Sequence, residues 1–222
     1  MNIENRVSSL EKILVQIINN KVLPQESYLA GDTAIYFYLH HRLSVDLDFF
    51  TPRAFNPEAL VFKMRNIFEE VDLELMEKET LILFLSSEKL KFSLFHLPYK
   101  LLSPLNPYEV KSGIACQLAS VDDIEAMKVI ALAQRGSAKD FIDLNDLLRK
   151  TGHHFKDLAF RVQTKYQVDE KYDYHLKTAM VYFDDAEKEL DAIWLVDESG
   201  GVRNISNQEW KDIKDFFMSF CR

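Results

Sequence analysis

Asp46 and Asp48 stand two residues apart in the run Arg42-Leu43-Ser44-Val45-Asp46-Leu47-Asp48-Phe49-Phe50. Side chains alternate faces along a strand, so the two carboxylates share one face while Val45, Leu47 and Phe49 fill the other. Paired carboxylate oxygens suit hard divalent cations, typically Mg²⁺ held together with substrate phosphates. A pair of such ions activates an attacking hydroxyl and steadies a leaving pyrophosphate. Upstream, Leu29-Ala30-Gly31-Asp32-Thr33 puts a glycine at a strand-to-helix turn, where the backbone can approach a ligand closely. The helix beginning near Thr33 aims free N–H groups at an anion.

A second block runs from Leu118 to Leu144. Ser120 with Asp123 three residues on reads as a capping box that starts a helix. Lys128 and Arg135 then lie within about 20° of each other on the helical wheel, so both can point at one ligand. Gly136 breaks this helix, and Ser137 with Asp140 reads as a second capping box. Plainer uses exist for the same residues. Two acids on an exposed strand face are ordinary, and Lys128 and Arg135 would serve as the wet side of an amphipathic helix. Asp140 would cap its own helix, and Asp143 would pair with Lys139 on the adjacent turn. His40-His41 and His153-His154 read as surface or turn residues, because adjacent histidines point apart on a helix. Trp194 and Trp210, with Phe216, Phe217 and Phe220, read as packing for the C-terminal helix.

The elements that must position these groups follow from periodicity. Val7, Leu10, Ile13, Leu14, Ile17 and Ile18 give a helical face over 4–18. Next come a strand or turn at 27–31, an apolar helix over 33–40 and a strand over 45–50. A short helix over 57–69 precedes three strands at 72–76, 80–86 and 90–97. Pro98, Pro104 and Pro107 mark an irregular stretch. Beyond a short strand at 114–118, helices are expected over 121–135, 138–149, 153–165, 170–181 and 206–220. Mixed elements first and helices afterwards make an α+β chain, divided into a core over 1–110 and a mainly helical module over 111–222.

Composition bounds the class. Of 222 residues, 47% are hydrophobic and 12% aromatic, which excludes wholesale disorder. A net charge of −8 argues against coating nucleic acid by bulk charge. Residues 128–165 nevertheless hold eight Lys/Arg against four Asp/Glu, a local basic surface able to take phosphates. Cys116 and Cys221 are too few for a disulfide framework or a structural zinc site. The N-terminus lacks the pattern of a signal peptide, and no run approaches the ~18 apolar residues of a membrane span. A soluble, cytoplasmic protein with no membrane partner is expected.

The glycine turn followed by Asp-x-Asp resembles the nucleotidyltransferases of the DNA polymerase-β type. The order of both blocks is similar to the AbiEii/AbiGii toxin family of that superfamily. Phe95-His96-Leu97-Pro98-Tyr99-Lys100 and Val181-Tyr182-Phe183-Asp184-Asp185 extend the likeness over roughly residues 28–217. The resemblance implies a polymerase-β-like sheet-and-helix module completed by a C-terminal α-helical one. It implies transfer of a nucleotidyl group from an NTP, with Mg²⁺ or Mn²⁺ on Asp46 and Asp48. Gly31, Asp32, Thr33, Arg42 and Ser44 would contact the nucleotide, Lys128 with Arg135 would neutralise phosphate charge, and Asp140 or Asp143 would complete the catalytic set. An RNA acceptor such as tRNA and a cognate antitoxin encoded alongside, in a toxin–antitoxin or abortive-infection pair, are the implied partners.

Two departures stand out. Asp32 occupies a position where the family usually has Gly or Ser, and it would either repel a triphosphate or turn outward and cap the helix that follows. The strand Lys91-Phe92-Ser93-Leu94-Phe95-His96 carries no third carboxylate, leaving Ser93 or His96 in its place. These departures motivate an alternative: a catalytically weak or inactive protein that keeps the fold and binds a nucleotide or a partner. A glycosyltransferase also uses Asp-x-Asp, but the Lys128 block has no place in one.

Overall fold

The computed structural model describes residues 3–44, 46–87, 89–111, 113–197 and 200–222, with side chains from residue 8 onward. Val45 and the Val7 side chain, both used above, lie outside the described residues. Helix α1 (Ile3–Asn19) buries Leu10, Ile13, Leu14 and Ile17, the face its spacing specifies. Then follow β1 (Tyr28–Ala30), α2 (Gly31–Leu39), β2 (Leu47–Thr51) and α3 (Pro57–Arg65). Next in the chain are β3 (Val71–Glu77), β4 (Thr80–Leu85), β5 (Leu90–His96), β6 (Asn106–Lys111) and β7 (Ile114–Leu118).

These strands form one seven-stranded sheet in the order β3-β4-β5-β2-β1-β7-β6. It is mixed: β2 runs parallel to β5 and β1 parallel to β7, while the other neighbours are antiparallel. Alternation along β4 buries Leu81, Leu83 and Leu85, the pattern of a strand with one covered face. The stretch read as irregular from its prolines contains a strand, β6. Pro107 sits in it without penalty because β6 is an edge strand, where an outward-facing position needs no N–H donor. The expected boundary at 110/111 therefore falls inside the β6–β7 hairpin.

Two compact units divide the chain. One comprises Met1–Ala34, Ser44–Lys100 and Pro104–Ala119; the other comprises Ile35–Leu43, Leu101–Ser103 and Ser120–Arg222. The second unit is mainly helical, as expected: α4 (Val121–Arg135), α5 (Ala138–Thr151), α6 (Phe155–Tyr166), α7 (Tyr172–Met180) and α8 (Asn207–Phe220). It also holds a 3-10 turn at Ala186–Ala192 and a hairpin of β8 (Trp194–Val196) with β9 (Val202–Asn204), neither of which the periodicity announced. Ser120 caps α4 by accepting from the Asp123 amide at 3.1 Å, and Gly136 ends the helix in the left-handed region with φ 58°.

Phe141 anchors the second unit's core, with the rings of Phe183, Phe217 and Trp210 at 5.0, 5.4 and 5.9 Å. Trp210 packs as expected, whereas Trp194 is an exposed residue of β8. The Asp123 carboxylate does not close a capping box; it accepts from the Leu102 and Ser103 amides, the Ser120 hydroxyl and Lys165 Nζ. Lys165 and Asp123 are both fully buried, with Nζ 2.6 Å from Oδ1. This pair fastens α6 to the start of α4.

Candidate functional site

In the first unit, Asp48 is the central residue of an acidic face. On β2 it registers with Ala30 of β1 on one side and Ser93 of β5 on the other. Gly31, with φ 67°, opens α2 beside it, and a Cβ at Gly31 would lie 3.2 Å from Asp48 Oδ2. A side chain there would be strained by the backbone and would press on that carboxylate. Burial pushes the Asp48 carboxyl upward, and the charges of Asp32 and Asp46 add to this, partly offset by Ser93 and Lys91. Asp32 does not turn outward: it is 7% exposed, and its charge bears on Asp48.

Thr33 and Ser44 lock the approach to β2. The Thr33 hydroxyl donates to the Asp46 carbonyl at 2.5 Å and accepts from the Ser44 hydroxyl at 2.8 Å, since its single proton is already committed. Both were expected on nucleotide; in the fold their hydroxyls position Asp46. Ser93 stands where a third carboxylate would be looked for, directly across from Asp48, and its buried hydroxyl makes no hydrogen bond of full geometry among the described residues. His96 registers with Thr51 instead and faces Glu79 at 3.2 Å. Carboxylate oxygens are the donors a hard divalent cation takes, and a cation beside Asp48 would offset the charges of Asp32 and Asp46 that add to its upward shift.

In the second unit, Lys128 is the hinge of a buried ion cluster. From α4 its Nζ reaches Asp140 Oδ1 at 2.9 Å and Asp143 Oδ2 at 2.6 Å. Arg135, one helical row along, grips Asp140 through Nε and Nη2 at 2.6 and 2.8 Å. Arg42 holds Asp143 bidentately at 2.6 and 2.7 Å, and His41 Nε2 is 2.7 Å from the same carboxylate. The second capping box does not form: the Ser137 hydroxyl donates to Glu189, and Asp140 is engaged by Lys128 and Arg135. Asp143 binds Arg42 and Lys128, not merely a neighbour on its own helix. Both carboxylates belong to the cluster.

Arg42, expected on nucleotide, is 5% exposed and holds Asp143. Its place is set by β8: Leu43 N donates to the Trp194 carbonyl and Val196 N to the His41 carbonyl. Of the cations in the cluster, Arg135 has a half-exposed side chain.

His41 and His153 are not the ordinary surface residues their pairing suggested. His153 Nδ1 lies 3.0 Å from Glu125 Oε2, and Asp122, Glu125 and His153 bring ligand-type atoms within 4.8 Å of one another. Arg161 already supplies the cation there, with Nε 2.8 Å from Asp122 and Nη2 3.1 Å from His153 Nε2. Burial raises the Glu125 carboxyl in spite of these partners. His154 behaves as expected of a turn residue, starting α6 with its amide donating to Asp157.

Comparison with known proteins gives the family and the fold. The family model described as nucleotidyl transferase AbiEii toxin, type IV toxin–antitoxin system, matches residues 12–220. The chain belongs to the AbiEii family. An uncharacterized protein of Aquifex aeolicus is 34% identical over 211 residues, covering 94% of this chain and 90% of the relative. Among solved structures, a putative nucleotidyltransferase from Helicobacter pylori superposes with TM-score 0.56 at 16% identity, covering 97% of this chain and 94% of that one. MenT4, a nucleotidyltransferase toxin of Mycobacterium tuberculosis, gives TM-score 0.54 at 14% identity, covering 97% and 84%. The AbiEii-family chain therefore has the nucleotidyltransferase fold. Among its described residues no helix is long and apolar enough to cross a membrane.

Proposed function

We propose that this AbiEii-family protein transfers a nucleotidyl group from an NTP to an acceptor hydroxyl, with RNA, tRNA in particular, as acceptor. The acceptor oxygen forms a bond to the α-phosphorus, the bond to the β-phosphate oxygen breaks, pyrophosphate leaves and the hydroxyl proton passes to solvent. Asp46 and Asp48, with Asp32 beside them, would hold Mg²⁺ or Mn²⁺, which supplies Lewis-acid polarisation of phosphate oxygens when bound. Gly31 keeps Asp48 in place, Thr33 and Ser44 orient Asp46, and Lys128 and Arg135 offset phosphate charge, with Arg42, Asp140 and Asp143 fixing Lys128. The observation that carries the reading is the half-buried Asp48, set in β2 between Ala30 and Ser93 and close against Gly31. A cognate antitoxin encoded alongside, and action in the cytoplasm, complete the proposal.

The test is direct. Purified protein, incubated with each labelled NTP and total tRNA in Mg²⁺, is expected to transfer label, and Asp46→Ala with Asp48→Ala to abolish it. Label carried by the double variant, or none by the wild type with any NTP, would sink the catalytic reading. A second reading rests on Ser93, which cannot serve as the carboxylate its position beside Asp48 would suit. On that reading the protein binds Mg²⁺–NTP, measurable by calorimetry, and turns over weakly or not at all.

A further inference from the structure

The seven-stranded sheet has two edges, and they are finished differently. β6 carries Pro107 and packs against α1. Among the described residues β3 pairs only with β4, with a register shift between Leu73 and Leu75; it contains no proline and is exposed from Asp72 to Glu77. Leu73, Leu75 and Met76 are 45%, 36% and 40% exposed, and Phe62 of the adjoining α3 is 68% exposed. Beside the end of β3, Phe55, Pro57 and Met76 line a groove of about 440 Å³ together with Glu58, Glu77 and Lys78. An edge of this length with apolar side chains on display is a template for another strand.

Charge selects the occupant. From residue 69 to 79 the chain carries Glu69, Glu70, Asp72, Glu74, Glu77 and Glu79 against the single Lys78. Lys89 pairs with Asp72 and His96 with Glu79; Glu74 and Glu77 have no ion-pair partner among the described residues. A second copy of β3 would set acid against acid across the new pair, which is destabilising. RNA is repelled for the same reason. A strand alternating Lys or Arg with apolar residues gains backbone hydrogen bonds, cross-strand ion pairs and apolar cover at once. We infer that β3 is a docking edge for an extended, basic segment of a partner protein, which adds beside β3 as an eighth strand and seats an apolar side chain in the groove.

The full-length protein is titrated with a blocked, fluorescently tagged peptide of about nine residues alternating lysine with valine or threonine. Saturable binding is expected, with amide exchange slowed across residues 71–77. N-methylation of alternate peptide amides, or Glu74→Lys with Glu77→Lys in the protein, is expected to weaken binding by about tenfold or more. Both replaced glutamates are exposed, so thermal melts of the double variant should match the wild type. The inference is overturned by no binding, by equal binding of the N-methylated peptide, by exchange protection confined to residues away from β3 and the groove, or by a wild-type dimer that the double variant dissolves.

Discussion

A single methyl group at Gly31 tests whether the glycine turn exists for the backbone or for Asp48. Gly31 and Gly136 both sit in the left-handed region, at φ 67° and 58°. Alanine there costs about 1–2 kcal/mol of backbone strain, of which roughly 0.4–1 is returned by the less flexible unfolded chain. At Gly136 nothing further is added, since the new Cβ meets only the Leu132 carbonyl at 3.9 Å. At Gly31 it meets Asp48 Oδ2 at 3.2 Å and Asp48 Cβ at 3.5 Å. Because Asp48 is held between β1 and β5, relief of that contact requires the carboxylate to shift, a packing cost of about 1–3 kcal/mol. Gly136→Ala should therefore lose about 1 kcal/mol and Gly31→Ala about 2–4, which at this chain length is roughly 2–4 °C against 4–16 °C. Urea melts give the stabilities, and calorimetric titration with Mg²⁺ or Mn²⁺ reports the acids. Metal affinity should fall in Gly31→Ala and stay unchanged in Gly136→Ala. Equal losses of stability in the two variants, or unaltered metal affinity in Gly31→Ala, would refute the assignment of the glycine to Asp48.

Three further outcomes are expected. Lys165→Met strands the buried Asp123 carboxylate and should cost about 3–5 kcal/mol by urea melt, with Asp123→Asn in the same chain recovering part of it. Lys128→Met should cost less, about 2–3 kcal/mol, because Arg135 and Arg42 still hold Asp140 and Asp143, while label transfer from NTP should disappear. Glu125 has its carboxyl raised by burial, so the folded state binds the proton more tightly than the unfolded one. The wild type should therefore lose stability relative to Glu125→Gln as pH rises from about 4 through the raised value, and the gap should be flat above it. A wild type that gains on the variant over that interval would reverse the sign.

What could be read from the sequence was local. The turn at Gly31, the strand bearing Asp48, the Ser120 cap and the Lys128 stripe each depend on neighbours within a few residues. Partners far along the chain left no such trace. Nothing near Arg42 announces Asp143, and the segment 41–43 is placed by β8, whose only signal was the Gly200-Gly201 pair between two short apolar runs. The same holds for His41 with Asp143 and His153 with Glu125. That β5 lacked an acid was legible, whereas Ser93 as the residue facing Asp48 depends on register. The prolines misled at β6 because proline disfavours central strands and not edge strands.

The division of the chain at residues 34 and 44 has a genetic consequence. The segment 35–43 belongs to the second unit yet is encoded between the two halves of the acidic face, Gly31–Thr33 and Asp46–Asp48. No single cut separates the units. A gene split after Ala119 yields one fragment with Arg42 but no Asp143, and another with Asp143 but neither Arg42 nor His41 to hold it. Each half is thereby incomplete by itself, which a two-domain arrangement joined by one linker would avoid.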